Sequence, residues 1–181
     1  MHILIVGSSG SGKSNLAKGF AENAEAKGQA VIVYDPVMSS GWPENAEKFA
    51  TAEKFLQRMR TAQSAHVFID EAKTLWNHDP KRADALLYQK RHAGILVYVI
   101  GQRAEGMIPP NARNQCSKVF AFRQSAKDSD TLALEYGEVL RKCSKLDKNN
   151  FIYSDGFSGG MAALDYSAKY PPTIKLGDKH E

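Results

Sequence analysis

The apolar residues of this chain fall into short runs that alternate with longer amphipathic stretches. Uninterrupted apolar runs are typical of strands buried on both faces, whereas apolar residues about one helical turn apart indicate a helix. The runs predict strands over residues 1–6, 30–34, 66–69, 95–100 and 118–122. Because the run at 95–100 has no polar interruption, we expect this strand at the centre of the sheet.

The segments between these runs have helical periodicity. It predicts helices over residues 13–27, 51–62, 83–91 and 128–142, with a short helix near Asn111. Strands that alternate with helices predict an α/β fold built on a mostly parallel sheet. Two later apolar runs, at 151–154 and 161–166, are joined through glycines and predict a C-terminal β-hairpin. We therefore predict one domain over residues 1–170 and a polar, flexible tail over residues 171–181.

Composition and charge narrow the class of protein. The 181 residues and a hydrophobic fraction of 43% suit a single globular domain. No stretch approaches the roughly 20 apolar residues of a membrane span, and the chain begins on its first strand, so we expect a cytoplasmic protein without a signal peptide. The net charge of +4 is mild and does not by itself indicate a nucleic-acid partner. Cys116 and Cys143 lack the spacing of a metal site or a disulfide framework.

The strongest chemical signal follows the first predicted strand, where residues 7–14 read GSSGSGKS. This is the phosphate-binding loop pattern, placed between a strand and a helix as it requires. Its glycines let main-chain N–H groups turn inward to bind an anion, and the following helix adds its positive end. The residues predicted to bind the nucleotide are Gly7, Ser8, Ser9, Gly10, Ser11, Gly12, Lys13, Ser14 and Asn15.

Two of these residues have separate expected roles. Lys13 is expected to reach the β- and γ-phosphates of ATP, and the Ser14 hydroxyl is expected to bind Mg²⁺. The competing interpretation of the segment is a flexible glycine-serine turn without a ligand.

A second signal is the apolar strand at 66–69, which ends in Asp70 and Glu71. A carboxylate at the C-terminal end of a parallel strand lies at the crevice where α/β sheets bind ligands. Asp70 is expected to hold Mg²⁺ as a Walker B residue, and Glu71 to accept a proton from the attacking water. Alternatively, the two acids simply begin a helix.

Gln102 follows the predicted central strand and is the third signal. A polar side chain at this end of a strand beside Walker B is placed to hydrogen-bond the γ-phosphate or the attacking water. The alternative is a loop glutamine without a ligand.

Together these segments resemble the FtsK–HerA superfamily of P-loop motor ATPases. The resemblance covers roughly residues 1–166 and rests on residues 33–36, 70–72, 90–94, 101–103, 108–110, 113–114 and 119–123. In its compact size the chain is most similar to the DNA-packaging ATPases of viruses and phages. The segment 69–108 also resembles the zonula-occludens-toxin-like assembly ATPases of filamentous phages.

The resemblance implies a RecA-like P-loop NTPase fold of the ASCE type, and an ATP- and Mg²⁺-dependent motor that moves double-stranded DNA. It also implies a homo-oligomeric ring in which an arginine of one subunit completes the site of its neighbour. Arg91 is the first candidate for that arginine, followed by Arg103, with Arg113 and Arg123 behind it. The loops expected to face DNA are residues 73–82 and 103–114, and a portal or capsid vertex would be the docking partner.

Three other functions stay open at this point. A zonula-occludens-toxin-like assembly or extrusion ATPase would act on proteins. A small-molecule kinase would need an arginine-rich lid and an acceptor site, which the sequence does not clearly contain. A nucleotide switch without catalysis would not depend on Glu71.

Overall fold

The protein is described here from a computed structural model that covers residues 2–167 and 170–177, with only the backbone of Arg91. Within these residues a single sheet of nine strands has the order β3-β2-β4-β5-β1-β6-β7-β8-β9. The strands are β1 His2–Val6, β2 Ala30–Tyr34, β3 Glu47–Phe49, β4 Ala65–Ile69, β5 Leu96–Gly101, β6 Cys116–Ala121, β7 Asn150–Ser154, β8 Gly159–Asp165 and β9 Thr173–Leu176.

The sheet has a parallel and an antiparallel part. The strands from β3 to β6 are all parallel, whereas β7, β8 and β9 continue the sheet as antiparallel neighbours. The strand β5 lies between β4 and β1, in register with Leu4 opposite Val99. This confirms the predicted α/β class, the central position of the fourth predicted strand and the C-terminal hairpin.

Helices cover both faces of the sheet. They are α1 Lys13–Ala26, α2 Ala52–Met59, α3 Ala72–His78, α4 Pro80–Gln89, α5 Pro110–Asn114 and α6 Ala126–Tyr136, with 3₁₀ helices at Lys90–Ala93 and Glu138–Lys145. Side chains alternate along a strand, so Ile3 and Ile5 pack under α1 while Leu4 and Val6 belong to the core on the opposite face. Because β1 is buried on both faces, the loop that follows it starts from a fixed position.

The structure differs from the predictions at several elements. Residues 73–82, predicted as a loop facing DNA, form most of α3 and the start of α4. The helix predicted over 128–142 breaks at Gly137, whose φ of 110° no helix allows, into α6 and a 3₁₀ helix. Residues 173–176 of the predicted tail form β9, paired with β8, and the short edge strand β3 has no apolar run that predicts it. The end of the tail, 178–181, lies outside the described residues.

Parallel packing brings the C-terminal ends of several strands to one edge of the sheet. Gly7 N–H donates to Gly101 O over 3.3 Å, and Ser8 N–H donates to Arg123 O over 2.9 Å. On the other side of the crevice, Asp70 N–H donates to Tyr34 O over 2.8 Å. The loops after β1, β4, β5 and β6 therefore share this edge.

Candidate nucleotide-binding site

The loop between β1 and α1 depends on its glycines for shape. A Cβ added at Gly7 would lie 2.5 Å from Phe122 Cβ and 2.6 Å from Ser11 Oγ, which is too close for any side chain. Gly10 and Gly12 have φ values of 71° and 113°, in the region that only glycine enters freely. The loop thus leads directly into the first turn of α1, which begins at Lys13.

Lys13 lies beneath this loop and faces the acids that follow β4. Its Nζ donates to Ser8 O over 3.0 Å. Burial lowers the pKa of Lys13, while the negative charges of Asp70 and Glu71 act in the opposite direction. The side chains predicted to bind phosphate and metal therefore lie together.

Asp70 is buried, with 8% of its surface exposed, and burial raises its pKa. Hydrogen bonds from the Ser14 hydroxyl and from Glu71 N–H, the latter over 3.1 Å, partly offset that rise, whereas the nearby charge of Asp35 adds to it. A buried carboxylate bonded to a hydroxyl offers the hard oxygen ligands that Mg²⁺ prefers.

The described residues offer few protein ligands for a metal ion at this site. Within residues 2–167 and 170–177, no three or more acidic, histidine or cysteine side chains are grouped to hold a metal ion. Mg²⁺ bound with a nucleotide takes one or two protein ligands and fills its other positions with phosphate oxygens and water. Ser14 and Asp70 fit that requirement.

Glu71 and Gln102, which the sequence places 31 positions apart, are in contact. Gln102 Nε2 donates to Glu71 Oε1 over 3.3 Å. Glu71 has φ 57° and ψ 52°, a left-handed conformation that costs free energy for a residue with a Cβ. This conformation turns the chain between β4 and α3 and sets the carboxylate beside the strand β5.

Lys18, one helical turn after Ser14, lies near the same site, although no sequence motif indicated it. Its side chain is buried, its Nζ donates to Ser40 O over 2.6 Å, and it lies 5.5 Å from the centre of the Trp42 ring. Burial lowers the pKa of Lys18, and the charges of Asp70 and Asp35 oppose this change. The spacing from Ser14 was the available signal, but lysine on a helix is ordinarily a solvated residue.

Asp35 organises the loop that Lys18 contacts. Its carboxylate accepts hydrogen bonds from Val37 N–H, from both the N–H and the hydroxyl of Ser39, and from Trp42 Nε1. Burial acts to raise the pKa of Asp35, but these four hydrogen bonds outweigh it and leave the pKa below its ordinary value. The loop after β2 is therefore tied to the same edge as the phosphate loop.

A cavity of about 500 Å³ opens over the phosphate loop. It is lined by Gly10, Gly12, Lys13, Ser14, Asn15, Lys148, Asn149 and Tyr166. The last three residues come from the C-terminal part of the chain and were not predicted. No short motif marks them, because the antiparallel strands bring them to the loop from more than 130 positions away.

The predicted arginines lie in different environments. Arg103 Nε donates to Asp128 over 3.1 Å, although half of the Arg103 side chain remains exposed. Arg113 is buried and donates to Glu135 and to two main-chain carbonyls of its own subunit, so its position favours a structural role over contact with a neighbouring subunit. Arg123 is exposed next to the phosphate loop, and the side chain of Arg91 lies outside the described part of the structure.

This fold and loop define the class: the chain has the fold of P-loop NTPases. The genome packaging NTPase B204 of Sulfolobus turreted icosahedral virus 2, in complex with AMPPCP, superimposes with a TM-score of 0.70 at 20% identity, over 99% of this chain and 97% of B204. The pCW3 conjugation coupling protein TcpA, with ATPγS, gives a TM-score of 0.72 at 16% identity, over 88% of this chain and 58% of TcpA.

Two further comparisons agree with this likeness. The cytoplasmic domain of the Thermomonospora curvata Type VII secretion ATPase EccC gives a TM-score of 0.62 at 14% identity, over 93% of this chain and 26% of EccC. A family model, the Type IV secretion-system coupling protein DNA-binding domain, matches residues 1–39. A search of curated protein sequences gives no match. The P-loop NTPase fold that the resemblance to FtsK–HerA-type ATPases implies is thus confirmed.

Among the helices of the described ranges, none has the length and apolarity needed to cross a bilayer.

Proposed function

We propose that this protein is an ATP-hydrolysing motor that translocates double-stranded DNA, as a ring, in packaging a viral genome in the host cytoplasm. The observation that carries the proposal is the contact between Gln102 and Glu71 beside the phosphate loop. A strand-end glutamine bonded to a carboxylate is the pair expected in an enzyme that must both sense the γ-phosphate and activate water. The fold shared with B204 and TcpA supports the same class.

The phosphate end of the site has a simple division of roles in this proposal. The main-chain N–H groups of residues 7–14 and Lys13 bind the phosphates of ATP. Ser14 and Asp70 hold Mg²⁺, which when bound supplies positive charge to the phosphate oxygens. The raised pKa of Asp70 is then offset by the cation, because a positive charge favours the carboxylate form.

Hydrolysis is assigned to the Glu71–Gln102 pair. Glu71 accepts a proton from water as that water attacks the γ-phosphorus in line with the leaving oxygen. Gln102 orients the water or the γ-phosphate, and its hydrogen bond to Glu71 Oε1 couples the two positions. Loss of the γ-phosphate would release Gln102 from one of its partners.

The proposal also includes a ring of subunits and a path for DNA. Arg91 completes the site of the neighbouring subunit, and Arg103, which stays half exposed beside Gln102, is second. Residues 110–114 of the expected DNA-facing loop 103–114 form α5, so the remaining loop, 103–109, contacts DNA phosphates in this proposal without reading base sequence. A portal or capsid vertex would supply the docking site.

The proposal is tested by the rate of ATP hydrolysis with and without duplex DNA. We expect stimulation by duplex DNA that weakens as salt increases, since phosphate contacts release counterions. Glu71→Gln should retain ATP binding and lose hydrolysis. Equal rates with and without DNA would remove the support for a DNA motor.

A protein-handling assembly ATPase is the second candidate, and the likeness to the secretion ATPase EccC favours it. It predicts ATP hydrolysis that depends on Glu71 but does not respond to DNA. The same two measurements therefore distinguish the candidates.

A further inference from the structure

The cavity over the phosphate loop is lined by residues from both ends of the chain. Lys13 and Ser14 line it together with Lys148, Asn149 and Tyr166, which form its C-terminal wall. We propose that Tyr166, with Asn149 and Lys148 beside it, forms the subsite for the nucleobase, and that the base stacks on the Tyr166 ring. The proposal rests on the proposed function, because it takes the phosphate loop to bind a nucleoside triphosphate.

Asn149 is fixed to the phosphate loop from the C-terminal side. Its N–H donates to Ser11 O over 3.2 Å, and its carbonyl accepts from Leu164 N–H of β8 over 2.9 Å. Its φ of 67° is left-handed, which asparagine tolerates better than most residues. The wall that Asn149 forms is therefore held in place by main-chain contacts on both sides.

The Tyr166 hydroxyl is hydrogen-bonded, while much of the side chain is exposed. Tyr166 follows β8 directly, and its hydroxyl accepts a hydrogen bond from Asn15 Nδ2 over 2.7 Å. Tyr170 donates its hydroxyl to Asn15 Oδ1 over 3.2 Å, so both ends of the Asn15 amide are engaged. Tyr166 nevertheless keeps 42% of its surface exposed.

The position of Asn15 directly after the phosphate loop favours a nucleoside at this wall. The phosphates occupy the loop at residues 7–14 in the proposed function, and Asn15 is the next residue of the chain. A nucleoside that leaves the phosphates along this cavity meets the aromatic ring bonded to Asn15. An exposed ring fixed at the mouth of a polar cavity offers an apolar face to a flat, aromatic ligand.

The chemistry of this wall predicts weak discrimination among bases. Stacking on a tyrosine ring tolerates every base, since each has a π-face. The wall adds one carboxamide and one ammonium group, which is too few polar groups to read a whole base edge. We therefore expect ATP and GTP to bind with similar affinity, and both to bind more tightly than the smaller pyrimidine nucleotides.

The test compares binding of ATP with binding of tripolyphosphate, which has the phosphates but no base, in the presence of Mg²⁺. Tyr166→Ala should weaken ATP binding about tenfold, as loss of one stacked base does, and leave tripolyphosphate binding unchanged. Tyr166→Phe should bind ATP like the wild type, because it keeps the ring. The matched control is Tyr88→Ala, an exposed tyrosine on α4 away from the cavity, which should change neither affinity.

Other outcomes would overturn the subsite. Equal weakening of both ligands by Tyr166→Ala would mean that the tyrosine only supports the phosphate loop, and no change in either would mean that the base lies elsewhere. If wild-type protein binds neither ATP nor tripolyphosphate, the proposed function itself fails, which is a distinguishable result. Thermal melting of each variant would exclude misfolding as the cause.

Discussion

At the scale of single residues, the backbone of Glu71 connects stability with function. A glutamate at φ 57° is less stable than a glycine there, since its Cβ crowds the neighbouring carbonyl. Such strain persists where the side chain is needed, and Glu71 is the residue bonded to Gln102. Residues of this kind trade stability for activity.

Glu71→Gly is expected to raise the free energy of unfolding by about 0.5–1 kcal/mol, and so the melting temperature by about 2 °C, while abolishing ATP hydrolysis. The control is Ser64→Gly, at an exposed residue that also has a positive φ, 46°. It should raise the melting temperature similarly and leave hydrolysis intact. A Glu71→Gly protein that melts lower than the wild type would show that the hydrogen bond to Gln102 outweighs the strain.

Asp35 gives a prediction about pH. Its pKa lies below the ordinary value, so its stabilising effect is fully present above the pKa of the unfolded chain and is lost as pH falls through the lower folded pKa. Asp35→Asn should lower the free energy of unfolding by about 1.5–3 kcal/mol at pH 7, as loss of hydrogen bonds to a charged group does. The difference from the wild type should shrink below about pH 4 in denaturant titrations. A difference that is constant from pH 7 to pH 2 would contradict this account.

At the scale of elements, Arg113 joins α5, the loop after β5 and α6. Its guanidinium donates to the carbonyls of Ala104 and Ile108, both over 2.8 Å, and to Glu135 of α6 through two nitrogens. A two-nitrogen contact with a carboxylate fixes direction as well as distance. This buried arginine therefore holds the loop that carries Arg103 against the body of the protein.

Glu135→Ala should lower the free energy of unfolding by about 2–4 kcal/mol, because it leaves a buried guanidinium without its charge partner. Glu138→Ala is the matched control: Glu138 pairs with Arg141 on the surface, with 76% of its side chain exposed. Removing this exposed partner should cost much less than removing Glu135, because water screens the surface pair. Chemical denaturation of both variants measures the two changes, and equal losses would contradict the role given to Arg113.

The elements also show what the sequence can predict. The phosphate loop, Asp70, Glu71 and Gln102 could be placed at one edge because each follows an apolar strand, and parallel strands end at the same side. The helix α3 was missed because it starts directly at the Walker B acids, where a loop was expected. Tyr166 and Asn149 could not be placed, since the antiparallel order of β7 and β8 decides which loop they meet.

At the scale of the whole molecule, the proposed ring would place each nucleotide site next to another subunit. Arg91 precedes β5, and the proposed ring assigns it to the neighbour's site. A residue that acts across an interface affects the subunit beside it rather than its own. Mixtures of subunits therefore test this assignment more sharply than a single variant does.

Arg91→Ala protein and Glu71→Gln protein should each be nearly inactive alone, and a mixture of the two should recover ATPase activity, because a site that joins Glu71 of an Arg91→Ala subunit to Arg91 of a Glu71→Gln neighbour is complete. Lys90→Ala, which changes the adjacent lysine bonded to Arg60 O over 3.0 Å, is the control and should stay active alone. A mixture that stays inactive although both variants assemble would show that Arg91 does not act across an interface. Mass measurement of Glu71→Gln protein with ATP and Mg²⁺ should show the assembled ring.

The contact at Gly12 has a wider consequence. A methyl group there would approach Leu164 Cδ1 of β8 to 2.8 Å and Phe122 Cε1 to 3.1 Å. The final hairpin thus packs tightly against the phosphate loop, and its side chains there cannot be exchanged freely. A chimaera that received its last strands from a distant homologue would keep Asp70 and Glu71 and still lose the close packing that shapes the cavity over the phosphate loop.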